Sequence, residues 1–135
     1  MSLSHYLVIS GAAIGAFLVG AAWYSPLLFG NTYLALRGLD PAVPVAMPVS
    51  EILLEFARWL IVVCVMALLA RWIGIDSLGQ GLLLGLVMWI AIYAALAGAV
   101  LHEGQSLRVY AIHVGDGLCK LLLIGGVLSF ATWRS

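Results

Sequence analysis

Long apolar runs, broken by short polar groups, organise this chain. A helix rising about 1.5 Å per residue needs about 20 residues to cross a hydrocarbon core about 30 Å thick. Four runs meet that length, at about residues 5–25, 50–73, 77–100 and 107–130. They predict an all-α membrane protein, a four-transmembrane-helix antiparallel bundle that forms a single integral membrane domain over residues 1–135. Pro26 is expected to stop or kink the first helix, because proline lacks an amide proton and disfavours helical geometry at Ser25. Ser50 and Glu51 open the second span, Gly74 is placed to end it, and Asp76-Ser77 caps the third. His102-Glu103-Gly104-Gln105-Ser106 makes a tight turn before the fourth. Short connections between spans two and three, and three and four, imply antiparallel neighbours. The one long connection, 30–49, carries Pro41, Pro44 and Pro48 and cannot be one regular helix. Its first part, Asn31 to Arg37, has the pattern of a short amphipathic turn, and its proline half is extended.

Composition requires lipid as the solvent. Of 135 residues, 64% are hydrophobic and 9% charged, where a soluble domain carries about 25% charged residues. Six basic side chains balance six acidic ones, so no basic field exists to draw nucleic acid. Cys64 and Cys119 lie inside apolar runs and give neither a disulfide framework nor metal-ligand spacing. The start of the chain has no Lys or Arg, and its apolar run is too long for a signal peptide, so it reads as a retained first membrane helix. Arg71 with Trp72, and Trp133 with Arg134, mark span ends at the interface. Arg71 and Arg134 on one side tie with Arg37 and Arg108 on the other. Arg37, near the first helix, favours a cytoplasmic long loop with both termini outside.

The segment Trp23-Tyr24-Ser25-Pro26-Leu27-Leu28-Phe29-Gly30 closes the first span. It resembles the bacterial family of unknown function numbered 1761, small four-helix membrane proteins with a W-Y-S-P-L-x-F-G signature followed by a polar loop like Arg37-Gly38-Leu39-Asp40. The resemblance implies the same fold class and a multi-pass place in the bacterial cytoplasmic (inner) membrane, and it implies no activity. Where the family often has a tryptophan after the F-G pair, this chain has Asn31-Thr32-Tyr33. Physically, Trp23 and Tyr24 are amphipathic aromatics suited to the headgroup level, and Pro26 turns the chain there. The motif therefore reads as an interfacial anchor and helix stop, with a ligand-binding role as the alternative.

Gly11-x-x-x-Gly15 and Gly81-x-x-x-Gly85 make small-residue faces that allow close helix approach, within the bundle or between two copies. The charged positions are more informative. Glu51, Glu55 and Arg58 share one face of the second span, and His113, Asp116 and Lys120 share one face of the fourth. Both spans start from the same side. Glu55 and His113 then lie about 7 to 9 Å deep and Arg58 and Asp116 about 12 to 14 Å, with Lys120 about 20 Å deep. Tyr93 is level with Arg58 and Asp116, and Trp89 with Lys120. A lone ion in hydrocarbon costs at least about 2.5 to 3.5 kcal/mol, so these groups should face inward and pair. One arrangement is a pair of interhelical clamps, Arg58 with Asp116 and Glu55 with His113. Another is a polar cavity, open to one side, for an ion, a proton or a small polar solute. A third is contact with a partner's membrane helix.

Enzyme signatures are missing: no nucleophile with base and orienter, no phosphate loop, no H-E-x-x-H helix. No cofactor or metal site is expected. The sequence thus points to an integral membrane protein without catalytic activity, with lipids and a homodimer or other membrane subunits as partners. It would serve as a structural or accessory subunit of a homo-oligomer or larger complex, or else as a small dimeric transporter or channel-like protein built on the charged cluster. Whether that cluster is dry and paired, or lines an opening, separates the two.

Overall fold

The computed structural model describes residues 1–43 and 47–133. Pro44 of the proline-rich connection and Arg134 of the closing interfacial pair lie outside them. Six helices form among the described residues: α1 (Leu3–Trp23), α2 (Gly30–Leu36), α3 (Val49–Ile73), α4 (Leu78–Leu96), α5 (Gly98–Glu103) and α6 (Leu107–Leu128). α1, α3, the α4–α5 stretch and α6 are each long and apolar enough to cross a membrane.

The ends of these helices follow from local chemistry. At the start of α1, the Ser2 amide donates to Nδ1 of His5 at 3.1 Å. α1 ends at Trp23, and Pro26 lies in the turn beyond it. That turn is closed by the Phe29 amide on the Trp23 carbonyl and the Gly30 amide on the Ser25 carbonyl, both at 2.9 Å. Gly30 is required there, because a Cβ would overlap the Tyr24 carbonyl oxygen. The amphipathic turn expected at Asn31 to Arg37 is the helix α2. Gly74 ends α3 with φ of 73°, a left-handed conformation that glycine adopts without steric cost. Ser77 Oγ accepts the Gln80 amide at 3.3 Å and caps α4. The third span is interrupted at Ala97, so α4 and α5 replace the single helix expected over 77–100.

α6 is the hub. Of its apolar stretch 50% is buried, against 11–17% for the other three spans. Its glycines explain this. Gly81 and Gly85 of α4 lie against the backbone of Gly125 and Leu121 so closely that a Cβ at either would overlap a carbonyl oxygen of α6. The Gly81-x-x-x-Gly85 face is thus consumed inside the bundle. α1 lies on another side of α6 and also packs on α3, with Ala12, Ala13 and Ala16 at 0–1% exposure in the core beside Val63, Met66 and Ala70. Gly15 meets the Leu123 side chain, and Gly11 has open space before it.

The helices therefore run α4, α6, α1, α3 in contact order. One expectation is corrected: α3 and α4, joined by the short Gly74–Ser77 link, touch only weakly. The glycine seam draws α4 to α6, and the alanine face of α1 holds α3. At the end of the bundle that carries this link, His5 Nε2 meets the Thr132 carbonyl at 2.9 Å and its ring packs on Trp133. Trp133 is buried, unlike an interfacial anchor, whereas Trp72 is exposed as one should be.

Candidate functional site

The turn after α1 docks on α6. Trp23 Nε1 donates to the Ile112 carbonyl at 3.0 Å, and the indole covers Gly115, where a Cβ would come within 2.7 Å of the ring. Tyr24 Oη and His113 Nδ1 share a 2.5 Å hydrogen bond. The Tyr33 ring of α2 packs on both of these rings, at 5.2 Å from Tyr24 and 5.5 Å from His113. Tyr33, at the departure from the family pattern, is thus part of the wall. Burial pushes the Tyr24 phenol well above its ordinary value, so its hydroxyl keeps its proton. Trp23 and Tyr24 therefore bind the fourth span, and Ser25 and Pro26 make the turn beyond the end of α1. An indole N–H or phenol O–H that meets a partner on α6 needs no water.

Opposite this aromatic group lies the charged cluster. Lys120 Nζ donates to Asp116 Oδ2 at 2.8 Å, one turn back on the same helix, with both side chains buried. The Lys120 ammonium also lies 4.0 Å from Glu55 Oε1 and 4.4 Å from the centre of the Trp59 indole. Glu55 accepts from Trp59 Nε1 at 3.0 Å and from Arg58 Nη1 at 2.7 Å. A Cβ at Gly20 of α1 would come within 2.7 Å of Lys120 Nζ, so that glycine makes room for the ammonium.

Both expected interhelical clamps are corrected. Arg58 pairs with Glu55 within α3 and Asp116 with Lys120 within α6, while His113 bonds to Tyr24. The physical reason is the packing order: α3 meets α6 only sparsely, so a gap separates their polar faces. Arg58, 72% exposed at its side chain, lines that gap beside Glu55 and does not pair with Asp116 across it. Among the described residues, the one ion pair between the two rows is Lys120 with Glu55, beside the Lys120 contact on the Trp59 ring.

The gap is a cavity of about 820 Å³. Glu55, Arg58, Tyr93, His113, Asp116 and Lys120 all line it. Its walls come from one end of the bundle: the close of α1, α2, the first half of α3, the end of α4, α5, and α6 from Tyr110 to Lys120. Tyr93 lies against Gly117, where a Cβ would overlap its phenol, and the Tyr110 hydroxyl donates to the Tyr93 carbonyl. Trp89 donates to the Val114 carbonyl at 2.9 Å, more than one turn nearer the cavity mouth than the Lys120 level expected of it. At the floor, Asp116 Oδ1 is buried with no hydrogen-bond partner.

Trp59, Tyr33 and Tyr110 were not singled out by the sequence. Trp59 carried a usable signal, since it stands four residues after Glu55 on one helical face. Tyr33 and Tyr110 carried none beyond being aromatic near span ends.

Four apolar spans, with a cavity at one end of the bundle lined by charged, aromatic and aliphatic side chains, define a small multi-pass helical membrane protein. Residues 7–129 match the family described as protein of unknown function, DUF1761, and the chain belongs to it. No curated protein and no solved structure matches the chain.

Proposed function

We propose that this protein binds a small polar or charged solute in the cavity and carries it across the bacterial cytoplasmic membrane, without catalysing a reaction. One observation carries the reading. A cavity of about 820 Å³ is lined by Glu55 and Arg58, with side chains 38% and 72% exposed, beside the buried Asp116–Lys120 pair. A structural clamp would be dry and paired across the gap, and neither expected clamp forms.

The test is reconstitution of the purified chain in liposomes and measurement of uptake across a panel of radiolabelled cationic, anionic and neutral solutes. Flux of at least one solute, lost in Asp116→Asn but not in Gly11→Ala, is the expected outcome. Equal behaviour of wild type and Asp116→Asn for every solute would refute the proposal.

A further inference from the structure

The cavity is far larger than an inorganic ion or a simple amine. At about 820 Å³ it falls within the range of sites that hold drug-sized molecules, about 300 to 1,000 Å³. Its width follows from the packing order: Glu51, Glu55 and Arg58 of α3 line one side, Tyr93 and Leu96 of α4 line another, and those two helices touch only weakly.

Charge along this lining is unbalanced. Three carboxylates, Glu51, Glu55 and Asp116, stand with two cations, Arg58 and Lys120, which leaves one negative charge when His113 is counted neutral. Two of the carboxylates are matched, Glu55 by Arg58 at 2.7 Å and Asp116 by Lys120 at 2.8 Å. The third is Glu51. It is exposed, lies one turn nearer the mouth than Glu55, and has no basic partner within salt-bridge distance among the described residues. Asp116 and Lys120 are 7% and 2% exposed at their side chains, so the carboxylate within reach of a ligand is that of Glu51.

Much of the remaining wall is carbon. The Tyr24 hydroxyl is bonded to His113, that of Tyr110 to the Tyr93 carbonyl, and the Trp59 N–H to Glu55. With these polar atoms taken, the side chains offer the cavity their rings, beside the apolar Phe17, Ile52 and Leu96. An aromatic face attracts a cation through its quadrupole, more strongly where water is excluded. The protein already uses this contact, since the Lys120 ammonium lies 4.4 Å from the centre of the Trp59 ring.

We infer that the cavity takes a bulky lipophilic organic monocation, its charge held by Glu51 and its apolar groups laid on the aromatic and aliphatic walls. This deepens the solute-binding reading and rests on it. One positive charge brings the lining to zero, whereas an anion would double its excess negative charge beside a medium where uncompensated charge is costly. A neutral solute would leave Glu51 unmatched. A hydrated alkali ion would leave the ring faces and most of the volume unused. No lining group has to gain or lose a proton for the cation to bind.

The experiment is equilibrium dialysis of the full chain in dodecylmaltoside against radiolabelled tetraphenylphosphonium, with micelles on both sides so that the excess is bound to protein. Saturable binding is expected. Glu51→Gln, at an exposed position in the first turn of α3, should weaken it at least about tenfold while eluting as wild type does. Arg58→Gln removes a positive charge from the lining and should tighten it about threefold or more. Loss of folding cannot produce opposite effects from two such substitutions. Tetraphenylborate, the same shape with the opposite charge, should not bind saturably. Tetramethylammonium, the same charge without rings, should bind at least about tenfold more weakly than tetraphenylphosphonium. Unchanged affinity in Glu51→Gln, weaker binding by Arg58→Gln, or equal binding of either comparison ion overturns the inference. If tetraphenylphosphonium fails while another solute of the uptake panel binds saturably, the inference falls and the solute-binding reading stands. If no solute of that panel binds, both fall.

Discussion

The Lys120 ammonium lies 4.4 Å from the centre of the Trp59 indole, and the N–H of that indole donates to Glu55 at 3.0 Å. Trp59 thus joins a buried cation to a carboxylate of another helix, the first through its ring face and the second through its N–H edge. Trp59→Phe keeps a ring face and loses the donor, whereas Trp59→Leu loses both. Leu should be less stable than Phe by about 0.5 to 2 kcal/mol, the range of a partly desolvated cation–π contact. Reversible unfolding in mixed micelles measures the difference, and equal stabilities would exclude an energetic role for the ring.

Burial separates the two ion pairs in energy. Asp116→Ala strands a Lys120 whose side chain is 2% exposed and should cost about 3 to 5 kcal/mol, while Asp116→Leu with Lys120→Leu recovers much of that loss. Arg58→Ala breaks a pair that is 72% and 38% exposed and should cost less than about 1 kcal/mol. The same unfolding series reads both. A large loss from Arg58→Ala would mean that Arg58 has a buried partner after all.

The glycine seam gives a third expectation. Gly85→Ala puts a methyl group into the Leu121 carbonyl of α6 and should destabilise by about 1 to 3 kcal/mol, since neither backbone can yield without moving its helix. Gly11→Ala faces open space and should be neutral. A neutral Gly85→Ala would disprove the close crossing of α4 and α6.

Accessibility provides a fourth. Glu51→Cys at the cavity mouth and Asp76→Cys at the link between α3 and α4 lie at opposite ends of α3. A membrane-impermeant maleimide should reach them from opposite sides of a sealed vesicle. Labelling of both from one side would rule out the four-span topology.

Much of the fold was legible because length and hydropathy alone decide what crosses a bilayer. Pro26, Gly74 and Ser77 ended or began helices for local steric reasons that need no tertiary knowledge. The six clustered polar residues were visible through helical periodicity and level counting. Their partners were not. Level counting places Cα atoms, whereas an arginine side chain reaches more than a full turn from its own backbone. It also says nothing of which helices touch, and here the glycine seam and the alanine face of α1 set the gap between α3 and α6. The α6 partners of Trp23 and Tyr24 were hidden for a related reason: an amphipathic ring satisfies itself equally at a headgroup or on a neighbouring helix.

The bond between His5 and Thr132, which spans 127 residues of sequence, closes the bundle at the end away from the cavity. Seen from its mouth, the cavity is a blind alley. The seam of α4 on α6 makes the rest of that end a stiff slab. α3 is fastened differently, leaning on the small alanines of α1 and tied to α4 by little more than the Gly74–Ser77 link, so of the four spans it is the one its neighbours hold least.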